Sequence, residues 1–190
     1  MPGKYDLVVM GASAGGYDAF RQILSGLESE FPLPIAVVQH LAPESGDYMI
    51  RNYKSISALD VREVEEKEPV VSGCVYFAPP NYHILIETNR TFSLSIDPKV
   101  NFSRPSIDVL FDSASEVYGP RLIGVLLTGA NADGAAGLKK IHNKGGVTLV
   151  QDPETAEVPV MPRAALDLFP VKYTVPLERI APFLSKLTKE

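Results

Sequence analysis

Val8-Val9-Met10-Gly11-Ala12-Ser13-Ala14-Gly15-Gly16 carries the change of character from which the rest of the chain is read. An apolar run of strand length, Tyr5 to Met10, stops abruptly in small residues. Beyond them Tyr17, Ala19, Phe20, Ile23, Leu24 and Leu27 recur at helical spacing. The stretch predicts a strand, a tight turn and a helix start, with Ser13 presented at the turn. Backbone N–H groups at a helix start attract negative charge, so such a turn suits a bound phosphate or the oxyanion of an acyl transfer. Gly11-x-Ser13-x-Gly15 matches the nucleophile-elbow pattern, whose small flanking residues let a serine project beyond the sheet edge. The dinucleotide fingerprint wants glycine where Ser13 stands, and the Gly-Lys-Ser/Thr of a P-loop is absent. On the turn alone, nucleophile, phosphate loop and plain structural turn all stay open.

Composition narrows the field. A chain of 190 residues can bury one substantial core and is short for two ordinary domains, so one domain over residues 1–190 is the expectation. Hydrophobic residues at 45% and charged residues at 22% fit a folded globular protein rather than a disordered one. No apolar run reaches the roughly 18 residues of a membrane span, and no secretory leader follows Met1, which points to the cytoplasm. With 18 basic and 23 acidic residues the formal charge is -5, and no stretch clusters lysine and arginine. That disfavours nucleic acid, whose binding rests on clustered positive charge. Cys74 is the one cysteine and sits in an apolar stretch, so it reads as a small buried residue. The three histidines form no grouping with metal-ligand spacing, and neither a metal nor a cofactor is expected.

The alternation of patterns then predicts an α/β fold, a doubly wound, mostly parallel sheet with a small antiparallel hairpin insert. Pro34-Ile35-Ala36-Val37-Val38-Gln39-His40 repeats the opening scheme, and places His40 at a strand's C-terminal end. Glu44 to Leu59 carries a weaker helical pattern, and Val61 to Val64 a short strand. Val75 to Ala78, His83 to Ile86 and Phe92 to Ile96 read together as the antiparallel insert, with His83 as a partly exposed strand residue. Arg104-Pro105 opens the next helix, with Pro105 in its first turn, and Gly119-Pro120 closes it. Arg104 is either a solvent-facing residue at that helix start or a group facing the functional edge that holds an acidic partner. Leu122 to Leu127 is a buried strand feeding Thr128-Gly129-Ala130-Asn131-Ala132-Asp133-Gly134 and a helix from Ala135 to Asn143. Asp133 reads either as the cap of that helix or as a carboxylate that orients a histidine. Gly146 to Gln151, Tyr173 to Val175, and helices over Pro162–Leu168 and Leu177–Leu187 complete the pattern.

Ser13, His40 and Asp133 each follow a different parallel strand, so all three emerge on one sheet edge although they lie far apart in sequence. Serine, histidine and aspartate are the residue types of nucleophile, base and orienter. Backbone N–H groups at Ala14 and Ala130 are the candidates for meeting a developing oxyanion. The chain order Ser, His, Asp differs from that of the α/β-hydrolases, which share the elbow but place the acid before the histidine.

Gly11-Ala12-Ser13-Ala14-Gly15-Gly16, Val38-Gln39-His40, Ala78-Pro79-Pro80, Arg104 to Phe111 and Leu127-Thr128-Gly129 through Gly137 closely resemble the catalytic domain of the chemotaxis protein-glutamate methylesterases, the CheB family. Gln151-Asp152-Pro153 and Met161-Pro162-Arg163-Ala164 extend the resemblance over nearly the whole chain. It implies a carboxylic ester hydrolase that releases methanol from glutamate γ-methyl esters on the cytoplasmic helices of chemoreceptors, with glutamine deamidation as a candidate second activity. The family triad falls on Ser13, His40 and Asp133. Two departures stand out: Ala14 where threonine is frequent after the nucleophile, and Ala130-Asn131 where methionine-glycine is common. The family enzyme usually carries a phosphorylatable receiver domain ahead of the catalytic one. With the first strand near Tyr5, activity without phosphorylation is the expectation for this chain. The alternative is a catalytically silent member that docks in a signalling complex, and a nucleotide-binding protein is a remote third. The sequence leaves the oligomeric state and any substrate contact of Arg104 open.

Overall fold

The computed structural model describes residues 3–40 and 46–189. Seven strands form one parallel sheet: β1 (Leu7–Ala12), β2 (Ile35–Gln39), β3 (Asp60–Glu63), β4 (Cys74–Phe77), β7 (Leu122–Leu126), β8 (Val147–Gln151) and β9 (Tyr173–Val175). Their order across the sheet is β3-β4-β2-β1-β7-β8-β9. β5 (His83–Ile86) and β6 (Phe92–Ser95) pair separately as an antiparallel hairpin. The helices are α1 (Gly16–Ser25), α2 (Gly46–Ile56), α3 (Ile107–Tyr118), α4 (Ala135–Asn143), α5 (Val160–Leu168) and α6 (Leu177–Leu187). Glu44, the expected start of α2, lies outside the described residues.

The period of two along each strand sorts the side chains onto two faces. Val8, Met10 and Ala12 of β1 pack with Phe20 and Ile23 of α1, Tyr53 of α2 and Ile180 and Leu184 of α6. Leu7 and Val9 point the other way, into Ile107, Leu110 and Phe111 of α3, Leu138 of α4 and Met161 of α5. Both faces are therefore covered, and β1, β2, β4, β7 and β8 are buried along their whole length, as central parallel strands require. Among the described residues no helix is long and apolar enough to cross a membrane.

Three expectations are corrected here. Val75 to Phe77 does not belong to the antiparallel insert: as β4 it lies inside the main sheet, parallel to β2 and β3, with Val75 opposite both Ile35 and Val61. Four consecutive buried residues mark a strand covered on both faces, whereas the two-stranded hairpin needs only one apolar side. His83 is also buried rather than partly exposed. Its Nδ1 accepts the Ser106 N–H at 3.1 Å and its Nε2 donates to the Pro98 carbonyl at 3.1 Å, tying the hairpin to the start of α3. That helix begins at Ile107 with Ser106 as its N-cap, so Pro105 stands one step outside it rather than in its first turn.

The order of strands fixes where a site can form. From β1 the sheet grows one way through β2 and the other way through β7, so the loops after β1 and β7 diverge and leave a crevice at the carboxyl edge. Ser13 follows β1, His40 follows β2 and Asp133 lies in the loop after β7.

Candidate active site at the carboxyl edge

Ser13 occupies a turn whose backbone continues the sheet ladder for one more step. Its N–H donates to the Thr128 carbonyl at 3.0 Å, while the next strand's His40 N–H donates to the Ala12 carbonyl at 3.0 Å. Since Ala12 pairs with Gln39 and adjacent strands run about 4.8 Å apart, Ser13 and His40 begin from neighbouring positions. The turn closes through Gly15, the N-cap of α1, at φ 79°. A Cβ there would sit 2.7 Å from Glu157 Cβ and 2.9 Å from Thr128 Oγ1, so both conformation and space call for glycine.

His40 and Asp133 are brought together. His40 Nε2 lies 2.8 Å from Asp133 Oδ2, with the histidine side chain 13% exposed and the carboxylate fully buried. With Nε2–H donating to the carboxylate, Nδ1 is the ring nitrogen left without a proton and able to accept a hydrogen bond. Ser13 is half-buried, and its Oγ makes no hydrogen bond among the described residues. The site therefore contains a bonded His–Asp pair, with its histidine just beyond the strand next to the serine turn.

Asp133 does not cap its own helix. Gly134 takes the N-cap position of α4 at φ 94°, and as glycine it has no side chain with which to cap that end. The Asp133 carboxylate instead faces the start of α3. Besides His40 it accepts from the Ile107 N–H (2.7 Å), the Asp108 N–H (3.2 Å), Ser106 Oγ (2.8 Å) and Asn101 Nδ2 (2.9 Å). Asp108 returns the arrangement: its Oδ1 accepts from the N–H groups of Gly134 (3.0 Å) and Gly137 (2.6 Å) at the start of α4. Each of two neighbouring helices thus carries, or follows, the carboxylate that caps the other. Asn101 Nδ2 also reaches Asp108 Oδ2 at 2.7 Å and so bridges the two acids.

This geometry sets the charge states. Burial alone pushes the Asp133 carboxyl up, but His40, Asn101, the Ile107 N–H and Ser106 outweigh it and hold the group below the ordinary carboxylate range. Asp108 moves the other way, because burial and the nearby Asp133 charge exceed what its backbone donors and Asn101 supply. The carboxylate that faces His40 is therefore the firmly ionised one.

The backbone N–H groups of Ala14 and Ala130 donate to no protein group among the described residues, and both residues are exposed. Gly129 differs from Ala130 in this respect, since its N–H is bonded to the Val158 carbonyl at 3.0 Å. Arg104 spends its Nη1 on the carbonyls of Ile96 (2.8 Å) and Asp97 (3.1 Å), so it clasps the loop between β6 and α3 rather than an acidic group. It also lines a pocket of about 200 Å³ together with His40, Asn81, Lys99, Phe102, Ser103 and Pro105.

Sequence reasoning missed a second set of residues that hold the site. Thr128, two residues beyond β7, donates from Oγ1 to the Ala14 carbonyl at 2.8 Å and accepts the Val158 N–H at 2.9 Å. Gln151, at the end of β8, accepts the Thr128 N–H at 2.9 Å and donates to the Thr155 carbonyl at 2.9 Å. Gln39 at the end of β2 is likewise buried, with Tyr53 Oη 2.9 Å from its Oε1. The available signal was a polar residue ending each apolar strand at the same edge. Thr128→Val preserves shape but leaves the Val158 N–H unpaired, and is expected to lower stability by about 1–3 kcal/mol in chemical denaturation.

Known proteins share this arrangement of chain and fold. Residues 8–184 match the CheB methylesterase family. A putative protein-glutamate methylesterase/protein-glutamine glutaminase of Leptospira interrogans is 52% identical over 184 residues, 97% of this chain and 95% of the relative. The protein-glutamate methylesterase FrzG of Myxococcus xanthus is 39% identical over 94% of this chain, which spans 54% of that longer relative. The crystal structure of the Thermotoga maritima CheB methylesterase catalytic domain superposes with a TM-score of 0.93 at 35% identity, covering 96% of this chain and 98% of that one. This chain belongs to the CheB methylesterase family.

Proposed function

We propose that the chain is a serine esterase that hydrolyses glutamate γ-methyl esters on the cytoplasmic helices of chemoreceptors, with Ser13, His40 and Asp133 as nucleophile, base and orienter. The observation that carries this reading is the 2.8 Å bond between His40 Nε2 and a buried, ionised Asp133 beside the serine turn. The relatives named as protein-glutamate methylesterases support the choice of ester.

In this mechanism Ser13 Oγ attacks the ester carbonyl carbon while His40 Nδ1 takes the hydroxyl proton. The imidazolium that forms lies against the Asp133 carboxylate, whose charge stabilises it and whose position fixes the ring. The carbonyl oxygen becomes an oxyanion that meets the Ala14 and Ala130 N–H groups, each worth about 3 kcal/mol in comparable sites. Collapse of the tetrahedral adduct breaks the ester C–O bond, and His40 returns its proton to the leaving oxygen, giving methanol and an acyl-Ser13. Water, deprotonated by His40, then attacks the acyl carbon and frees Ser13 and the glutamate side chain. A primary amide can enter the same sequence with ammonia as the leaving group, which is the route to glutamine deamidation. Cationic Lys99 and Arg104 flank the pocket beside His40.

The test is methanol release from a methylated receptor fragment, together with peptide mapping after treatment with a fluorophosphonate, a probe that phosphonylates activated serines. Methanol release and label on Ser13 are expected. No methanol and an unlabelled Ser13 would identify a silent docking module instead.

A further inference from the structure

The turn Val100-Asn101-Phe102-Ser103, between β6 and α3, combines features that the reaction chemistry leaves unused. Val100 and Ser103 exchange both backbone hydrogen bonds, at 3.1 and 2.9 Å, and the two residues between them have φ of 50° and 63°. Two successive positive φ values mark a type I′ hairpin turn, in which asparagine then glycine is the favoured pair. Asn101 fits its position; Phe102 occupies the one where glycine is favoured, in a conformation that bulky side chains rarely adopt. The ring gains nothing from packing in return, because Phe102 is 97% exposed.

Isolated apolar residues on a surface are ordinary. Phe102 is set apart by its surroundings. Phe102 itself lines the pocket beside His40; Ile96 and Val100 of the same loop are exposed at 72% and 37%, and Tyr82, next in sequence to the pocket's Asn81, at 41%. That pocket also contains His40, and its two charged lining residues, Lys99 and Arg104, are both cations in a chain of net charge -5. The turn is fixed rather than loose: Asn101, next to Phe102, donates to Asp133 and Asp108. A fixed turn therefore presents an aromatic ring in the same pocket as the reacting histidine.

We propose that Phe102 is the anchor by which the protein substrate docks, packing against an apolar side chain of a segment whose carboxylates, near the reacting ester, face Lys99 and Arg104. The role rests on the methylesterase reading of Ser13. Aromatic anchors bury large area at little conformational cost, and a backbone turn fixed beforehand has no loop-ordering entropy left to lose on binding.

Steady-state kinetics of the full chain on a methylated receptor fragment test the role, with Phe102→Gly and Phe102→Leu beside the parent. Phe102→Gly is expected to raise KM by about tenfold or more while kcat moves by less than about twofold, and Phe102→Leu to recover most of the loss. The thermal midpoint of Phe102→Gly is expected not to fall, because glycine relieves the positive φ, so lost docking is separated from lost folding. A KM within about twofold of the parent's, or a loss confined to kcat, would overturn the docking role while the methylesterase reading stands. A parent that releases no methanol from the fragment would overturn both.

Discussion

Replacing Asp133 with asparagine is expected to lower kcat by about 10⁴-fold and, unlike a purely chemical lesion, to lower stability by about 2–4 kcal/mol. The kinetic loss follows from hydrogen-bond direction. An asparagine amide facing His40 can donate to Nε2, which leaves the ring proton on Nδ1 and the ring unable to accept from Ser13. The stability loss follows from the five donors that converge on Asp133, those of His40, Asn101, Ser106, Ile107 and Asp108. An amide accepts at one end only, so its own N–H groups meet some of those donors. The charge that favours the start of α3 is lost as well. The pH dependence has a definite sign, because the Asp133 carboxyl is held below its ordinary value. Its contribution is present above the unfolded-state pKa of about 3.9 and is lost as pH falls through the lower folded-state value. Urea denaturation of parent and Asp133→Asn should differ fully near neutrality and converge in strong acid. A constant difference down to acid pH would contradict the assignment.

Ser13→Ala is expected to lower methanol release by about 10⁶-fold with stability unchanged to within about 0.5 kcal/mol. No hydrogen bond to Ser13 Oγ is formed among the described residues, so its removal leaves no partner unsatisfied, while the backbone N–H that pairs with the Thr128 carbonyl is retained. What remains of the rate is what binding and the oxyanion donors supply without a nucleophile. Matched methanol release by parent and Ser13→Ala proteins would rule out Ser13 as the nucleophile. The two substitutions are complementary: one removes the proposed reacting atom from a fold that does not need it, the other alters a group that the fold uses and the proposed reaction shares.

The contrast also explains what could be read from the sequence. Parallel strands all point one way, so the ends of Tyr5–Met10, Pro34–Gln39 and Leu122–Leu127 had to share an edge, and Ser13, His40 and Asp133 could be grouped without knowing the strand order. Ala135–Asn143 and Leu177–Leu187 were legible to the residue, since apolar spacing and flanking Gly, Asn and Pro mark helix ends locally. Cys74–Phe77 was not. A four-residue apolar run between turns looks the same in a hairpin as in a parallel sheet, and only its pairing with Ile35 and Val61 distinguishes them. The work of Asp133 was half legible. Its likeness to a helix cap was correct in kind, but the helix it caps starts 26 residues earlier in the chain, and no local pattern carries that information. His83 was hidden for the same reason, because its partners at Pro98 and Ser106 are contacts through space.

The exchange of caps between α3 and α4 has a consequence for the order in which the protein acquires reactivity during its synthesis. Ser13 and His40, which follow β1 and β2, leave the ribosome before the carboxylate that His40 bonds. Asp133 arrives 93 residues after His40, and the Asp108 bonds that link α3 to the start of α4 need Gly137 as well. A nascent chain therefore carries no bonded His40–Asp133 pair until both helices have been made and have docked. The esterase comes into being with the fold instead of preceding it.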